Sequence, residues 1–155
     1  MSFASRFLVV AAGLMAAPLA MRLERPVDVK PPVTAVKADP RAVRLARFFS
    51  KLHCPVKYLA ADFVRAADKN KLDWRLLPSI SVIESGGGKA YRNNNIFGWG
   101  NGNLKFPSIK AGLQEVAFKL GRSPLYRNRD SFGKLRVYNP DEQYALRVID
   151  VMNQI

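Results

Sequence analysis

The sequence predicts a mostly α-helical domain carrying one small Asn/Gly-rich lobe, either a loop or a short β-hairpin. Two observations predict it. Between residues 40 and 155, apolar side chains return at three- and four-residue steps in five stretches, the period of a helix buried along one face. Across residues 89–107 that period stops, and Asn, Gly and aromatic residues take over. A chain of 155 residues, 48% of them hydrophobic, holds one compact domain plus a tail and can fill a core.

Ahead of that domain, Phe7 to Ala20 is an uninterrupted apolar run preceded by a single charge, Arg6. As a helix it would span roughly 21 Å, short for a hydrocarbon core of about 30 Å. Residues 1–20 therefore read as a secretory signal peptide or N-terminal anchor, with Ala20 or Ala17 as the last residue before a cut. Residues 21–39, with Pro26, Pro31 and Pro32, read as an extended linker. These features imply a secreted or periplasmic protein, with membrane anchoring through residues 7–20 if the segment is kept.

The working domain, residues 40–155, opens with Asp39 as a helix cap and Pro40 at the first helical position. Val43, Ala46 and Phe49 mark the first helix, which His53-Cys54-Pro55 ends. A second helix starts near Val56, carries Leu59, Phe63, Val64 and Ala67, and closes at Asn70. A third starts at Asp73 and carries Trp74, Leu77, Ile80 and Ile83, with a mild kink expected at Pro78. Gly86-Gly87-Gly88 stops it. After the lobe, where a hairpin turn fits Asn101-Gly102, Ser108 caps a helix that carries Ile109, Leu113, Val116 and Leu120 and stops at Gly121. Arg122 to Val137 reads as turns. Asn139, Pro140 and Glu142 form a capping-box start for the last helix, with Tyr144, Val148, Val151, Met152 and Ile155 on its apolar face.

Composition excludes several chemistries. One cysteine, Cys54, forms no intrachain disulfide and no Cys-rich zinc site. One histidine, His53, excludes a two-histidine metal site, and no P-loop pattern exists. Neither metal nor cofactor is expected. Cys54 reads as a buried structural thiol.

Acids are scarce. Residues 41–155 hold 20 Lys plus Arg against nine Asp plus Glu, a net charge of +11 out of +13 for the whole chain. Glutamate occurs there only at Glu84, Glu115 and Glu142. Glu142 belongs to the capping box, and Glu115 lies off its helix's apolar stripe. Glu84 extends an apolar face and ends a helix just before three glycines. The helix dipole opposes a negative charge at that end, and apolar neighbours strip its solvation, so its pKa should rise. A carboxylic acid kept protonated near neutral pH is what glycosidic-bond cleavage asks of its general acid. The bland alternative is a helix-end Glu paired with a nearby Arg or Lys.

The lobe after Glu84 suits carbohydrate, which offers hydroxyl edges and apolar C–H faces to Asn side chains and aromatic rings. Ile96 and Phe97 are expected in the core, with Trp99 and one or two Asn facing the cleft.

Glu84-Ser85-Gly86 at a helix end, followed by Asn94-Asn95-Ile96-Phe97-Gly98-Trp99, resembles the bacterial endo-β-N-acetylglucosaminidase family of the lysozyme-like superfamily. Phe106-x-Ser108 leading into a helix, and Tyr144 with Val148, resemble it too. The resemblance covers roughly residues 57–155. It implies a lysozyme-like α+β fold, peptidoglycan glycan strands as substrate and Glu84 as catalytic acid. The family's Asn-Asn-aromatic-Gly segment carries over to Asn94, Asn95, Phe97 and Gly98; the substrate-binding candidates are Ser85, Asn94, Asn95, Phe97 and Trp99. The family places a cleft tyrosine a few residues before an Asp-Pro step. Here Tyr138-Asn139-Pro140 departs from that pattern and looks more like the Tyr-Asn pair of lytic transglycosylases. Tyr138 is the second catalytic candidate, against the alternative of a core tyrosine bonded to backbone.

Two-carboxylate glycosidases need a second acid roughly 5–9.5 Å from the first. No Asp or Glu lies between Glu84 and Glu115, which leaves Asp62, Asp130 and Asp141. A single-acid mechanism is the better expectation. The substrate's N-acetyl oxygen, or its C6 hydroxyl after Glu84 has become a base, would attack the anomeric carbon. The rivals are a non-catalytic wall-binding module and a nucleic-acid binder. The second has no helix-turn-helix, zinc or RNA-binding pattern behind its basic residues, and the export segment opposes it. The positive charge instead suits anionic wall polymers. The chain reads as a monomer.

Overall fold

A computed structural model describes residues 37–155. Residues 1–20, and the linker up to residue 36, lie outside the described residues. Among the described residues six α-helices form: α1 (Pro40–Lys51), α2 (Ala60–Asn70), α3 (Leu76–Ser85), α4 (Ile109–Arg122), α5 (Ser131–Tyr138) and α6 (Glu142–Gln154). The domain is mostly helical, and no strand occurs among the described residues. None of the described helices is long and apolar enough to cross a membrane.

Local chemistry sets the boundaries. Asp39 accepts a hydrogen bond from the Arg41 amide and starts α1 with Pro40 in its first turn, as expected. The second helical stretch divides: a 3₁₀ turn, Pro55–Leu59, precedes α2. α3 begins three residues later than expected, because Asp73 is spent on a turn. Its carboxylate accepts from the Arg75 amide at 2.9 Å and pairs with the Arg75 guanidinium at 2.7 Å. Pro78 then falls on the third helical residue, where a backbone N–H would have no intrahelical partner, so it breaks no helix bond. The expected kink has no cause.

Three further readings are corrected. Gly121 does not stop α4, which runs on to Arg122. A Cβ at Gly121 would overlap the Asn70 backbone, so this glycine lets α4 lie against the end of α2. Within the stretch read as turns, α5 forms, capped by Asp130, whose carboxylate accepts from the Gly133 amide at 2.7 Å. The last helix starts at Glu142, with Asp141 as its cap. Asn139 holds the preceding turn by accepting from the Asp141 amide at 3.0 Å.

α2 packs on α4, α3 on α6, α1 on α2 and α5 on α6. Leu45, Phe49, Phe63, Leu77, Ile80, Leu113 and Leu120 fill the interior between them. Phe63 stands 5.4 Å from Phe49 and 6.3 Å from Phe97 (ring centroids), so the lobe is pinned to the helical core through Phe97.

The lobe is a loop, not a hairpin. Gly98, Gly100, Asn101 and Gly102 all adopt left-handed backbone, which interrupts any extended run. Side chains replace the missing ladder. Asn95 Nδ2 donates to the carbonyls of Trp99 at 2.8 Å and Leu104 at 3.3 Å, while its Oδ1 accepts from the Trp99 amide at 3.0 Å. Asn94 Nδ2 donates to the Phe106 carbonyl at 2.9 Å.

Candidate active site

Glu84 ends α3, and Tyr144 lies in the first turn of α6. The packing of α3 on α6 brings them together: the Tyr144 hydroxyl donates to Glu84 Oε1 at 2.7 Å. Among the described residues no cation pairs with Glu84, so the bland alternative of a helix-end ion pair finds no partner there. Its carboxyl opens to solvent on one side and meets the lobe on the other. A Cβ on Gly98 would overlap Glu84 Oε2 and lie 3.1 Å from its Cδ. Burial raises the pKa of Glu84, and the Tyr144 hydrogen bond opposes part of that rise by favouring the carboxylate. The carbonyl end of α3 acts in the same direction as burial.

Aromatic rings continue from Tyr144. Tyr138 stacks on it at 5.9 Å and 8°, Trp99 stands 5.4 Å from Tyr138, and Tyr126 is 6.1 Å from Trp99. The Tyr138 hydroxyl donates to the Phe97 carbonyl. It is thereby engaged with backbone, and the hydroxyl that reaches Glu84 is that of Tyr144. Burial, then the charges of Glu84 and Tyr126, hold the Tyr138 phenol well above its ordinary range. Burial is likewise the first cause of the rise at Tyr144. Both tyrosines stay protonated at any working pH and serve as donors, not bases.

Two open cavities share Gly98 as a wall. One, of about 340 Å³, is lined by Trp99, Asn101, Tyr126 and Tyr138. The other, of about 380 Å³, is lined by Glu84, Tyr91, Arg92 and Asn95, with Ala90 and Gly102. Each is large enough for a sugar ring, and the two meet at Gly98 as one cleft; Glu84 lines the second half, with its carboxyl against Gly98.

The sequence-expected residues divide by task. Glu84 and Trp99 face the cleft, and the Tyr138 ring lines it. Ser85 is buried: its hydroxyl donates to the Ser81 carbonyl at 3.0 Å and accepts from the Gly88 amide at 3.0 Å, closing the end of α3. Phe97 is fully buried. Asn94 and Asn95 spend their amides on the lobe's own backbone, although Asn95 also lines the second cavity. These four are the scaffold of the site, because a loop without strands needs side-chain bonds to hold its shape. Sequence reasoning missed Tyr126, hidden in a segment read as turns. It saw Tyr144 only as a helix-face residue and part of the resemblance.

The three acids weighed as a second catalytic carboxylate are engaged elsewhere. Burial works against the charge of Asp62, but Lys110 at 2.9 Å and Arg65 at 2.7 Å outweigh it and hold the carboxyl below its ordinary range. Asp130 and Asp141 cap α5 and α6. Among the described residues, no three His, Cys, Asp or Glu side chains lie close enough to hold a metal ion. Cys54 is buried, and burial pushes its thiol up, so it is a packing group rather than a nucleophile. Compared with protein-family models, curated proteins and solved structures, the chain matches none.

Proposed function

We propose that this chain is a peptidoglycan hydrolase of lysozyme-like α+β type, cleaving β-1,4 glycosidic bonds of the glycan strand with Glu84 as its general acid. The observation that carries the reading is a single carboxylic acid of raised pKa, held by Tyr144 on the wall of a cleft lined by aromatic rings and polar groups. Sugar faces would stack on Trp99 and the tyrosines, and Asn101 would reach hydroxyl edges.

With Asp62, Asp130 and Asp141 engaged, one acid serves both steps. Glu84 gives its proton to the glycosidic oxygen, and the bond to the anomeric carbon breaks with its electron pair going to that oxygen. The substrate's N-acetyl oxygen attacks the anomeric carbon from the opposite face. The Glu84 carboxylate then takes a proton from water as the water oxygen attacks the anomeric carbon, and the bond from that carbon to the N-acetyl oxygen breaks with its electron pair returning to the N-acetyl group, which leaves a reducing end. The lytic transglycosylase route differs only in the last step: Glu84 takes the proton of the C6 hydroxyl, which attacks instead and leaves a 1,6-anhydro end. Among the described residues Glu84 is the one carboxylate that lines either cavity, which supports both. On this reading the protein acts outside the cytoplasm on the wall, and its basic surface keeps it near anionic polymers.

Incubation with purified peptidoglycan tests the proposal. Glycan fragments released into solution are the expected result, and their masses separate the two routes, the anhydro product being one water lighter. Binding to the wall with no fragments points to the non-catalytic module instead.

A further inference from the structure

The two halves of the cleft differ in charge. The half lined by Trp99, Asn101, Tyr126 and Tyr138 carries no ionised side chain. The half beside Glu84 carries Arg92. Residues 85–114 contain Lys89, Arg92, Lys105 and Lys110 and no acid, so the lobe itself supplies no carboxylate to neutralise Arg92. Among the described residues Arg92 makes no ion pair, and the one acid in its cavity is bonded to Tyr144 instead. Its backbone is nonetheless fixed: the Arg92 carbonyl accepts from the Asn95 amide at 3.0 Å, and Asn93 and Asn94 follow in left-handed conformation. A guanidinium on a fixed turn, exposed in the same cavity as the acid and without an ion pair among the described residues, can take an anion, and a carboxylate matches its fork geometry.

We infer that Arg92 binds a carboxylate carried by the sugar in the Glu84 half of the cleft, while the uncharged aromatic half takes the neutral sugar. The inference rests on the proposed glycan-cleaving function and adds a strand register to it. The strand alternates a neutral N-acetylhexosamine with one that bears a lactyl ether. The lactyl carboxylate is free in peptide-stripped strands, and in peptide-bearing strands the carboxylates belong to the stem peptide. Arg92 then places only one of the two alternating linkages at Glu84.

The full chain is tested on three substrates: peptide-bearing strands, peptide-stripped strands, and stripped strands with the lactyl carboxylates methyl-esterified. The wild type is expected to prefer a carboxylate-bearing substrate over the ester by about 3- to 10-fold in kcat/KM, a range that allows for the exposure of Arg92. Arg92→Gln should bring that ratio near one and Arg92→Lys should restore part of it. Added salt should lower the ratio for the wild type but not for Arg92→Gln. Preference for the stripped acid over the ester assigns the lactyl carboxylate. Preference confined to peptide-bearing strands assigns the stem peptide. Cleavage with a ratio that Arg92→Gln leaves unchanged overturns the inference and leaves the function standing. Cleavage of none of the three overturns the function, and the inference falls with it.

Discussion

The Tyr144 hydroxyl and the Glu84 carboxyl, 60 positions apart in the chain, meet at 2.7 Å where the end of α3 passes the start of α6. The contact holds Glu84 in one orientation and tempers its pKa, because a hydrogen bond to a carboxylate favours the charged form. Tyr144 is a positioning residue: it acts through Glu84.

Replacing Tyr144 with Phe keeps the ring stack and removes only the hydroxyl. Burial then acts on Glu84 unopposed, and its pKa rises further. A general acid works while protonated, so the fall of kcat/KM with increasing pH should move to higher pH. The maximal rate should drop by about 10-fold as the acid loses its fixed orientation. A pH–rate profile checks both. An alkaline limb that stays put or moves to lower pH contradicts the role.

Gly98 is required on two counts. It adopts left-handed backbone (φ +61°), and a Cβ there would overlap the Glu84 carboxyl. Gly98→Ala should lose about 1–3 kcal/mol of stability and most activity. Gly102→Ala is the control, with φ +75° but nothing within 4 Å of its Cβ, and should cost only about 1 kcal/mol of backbone strain. Thermal melts and turnover of the two variants should therefore part company, with Gly98→Ala the worse in both.

Glu84 costs the fold stability once it ionises. Below its ordinary value near 4.5 the carboxyl is protonated in folded and unfolded chains alike and makes no difference. As pH rises from there, the unfolded chain ionises first, and the cost grows until pH exceeds the raised folded value. Glu84→Gln carries no such cost and keeps an acceptor for Tyr144. It should melt with the wild type at pH 4 and above it at pH 7–8, by less than about 1 kcal/mol given the open side of the carboxyl. Paired melts at the two pH values read this directly, and a gap that shrinks with rising pH contradicts the raised pKa.

Trp99 should carry binding rather than chemistry, since it faces the uncharged cavity between Tyr138 and Tyr126. Trp99→Ala should raise KM on glycan strands by about 10-fold, the worth of one stacking contact, with a smaller change in kcat. A kcat loss with KM unchanged assigns the ring to shaping Glu84's surroundings instead.

The helices were readable where caps and apolar period agreed, as at Asp39-Pro40 and Ser108. They were misread where a polar residue had two possible tasks. Asp73 and Asn139 look like helix caps in sequence, but both close turns that precede the helix. Asp130 was weighed as an acid when it caps α5, a helix of eight residues too short to show a period. In the site, Glu84 stood out because acids are scarce. Asn94 and Asn95 were read as sugar ligands because sequence does not reveal whether an amide faces a ligand or its own backbone. The Tyr144 contact depends on the packing of α3 on α6, and the place of Tyr126 on a turn that meets Trp99 of the lobe, both between segments distant in sequence that no local pattern encodes.

The most direct measurement of the central claim is the release of soluble fragments from purified peptidoglycan by the wild type beside Glu84→Gln, with both proteins shown to be folded. The wild type should release fragments and the variant should lose at least about 100-fold, the scale of a missing general acid. Equal release by the two would contradict it.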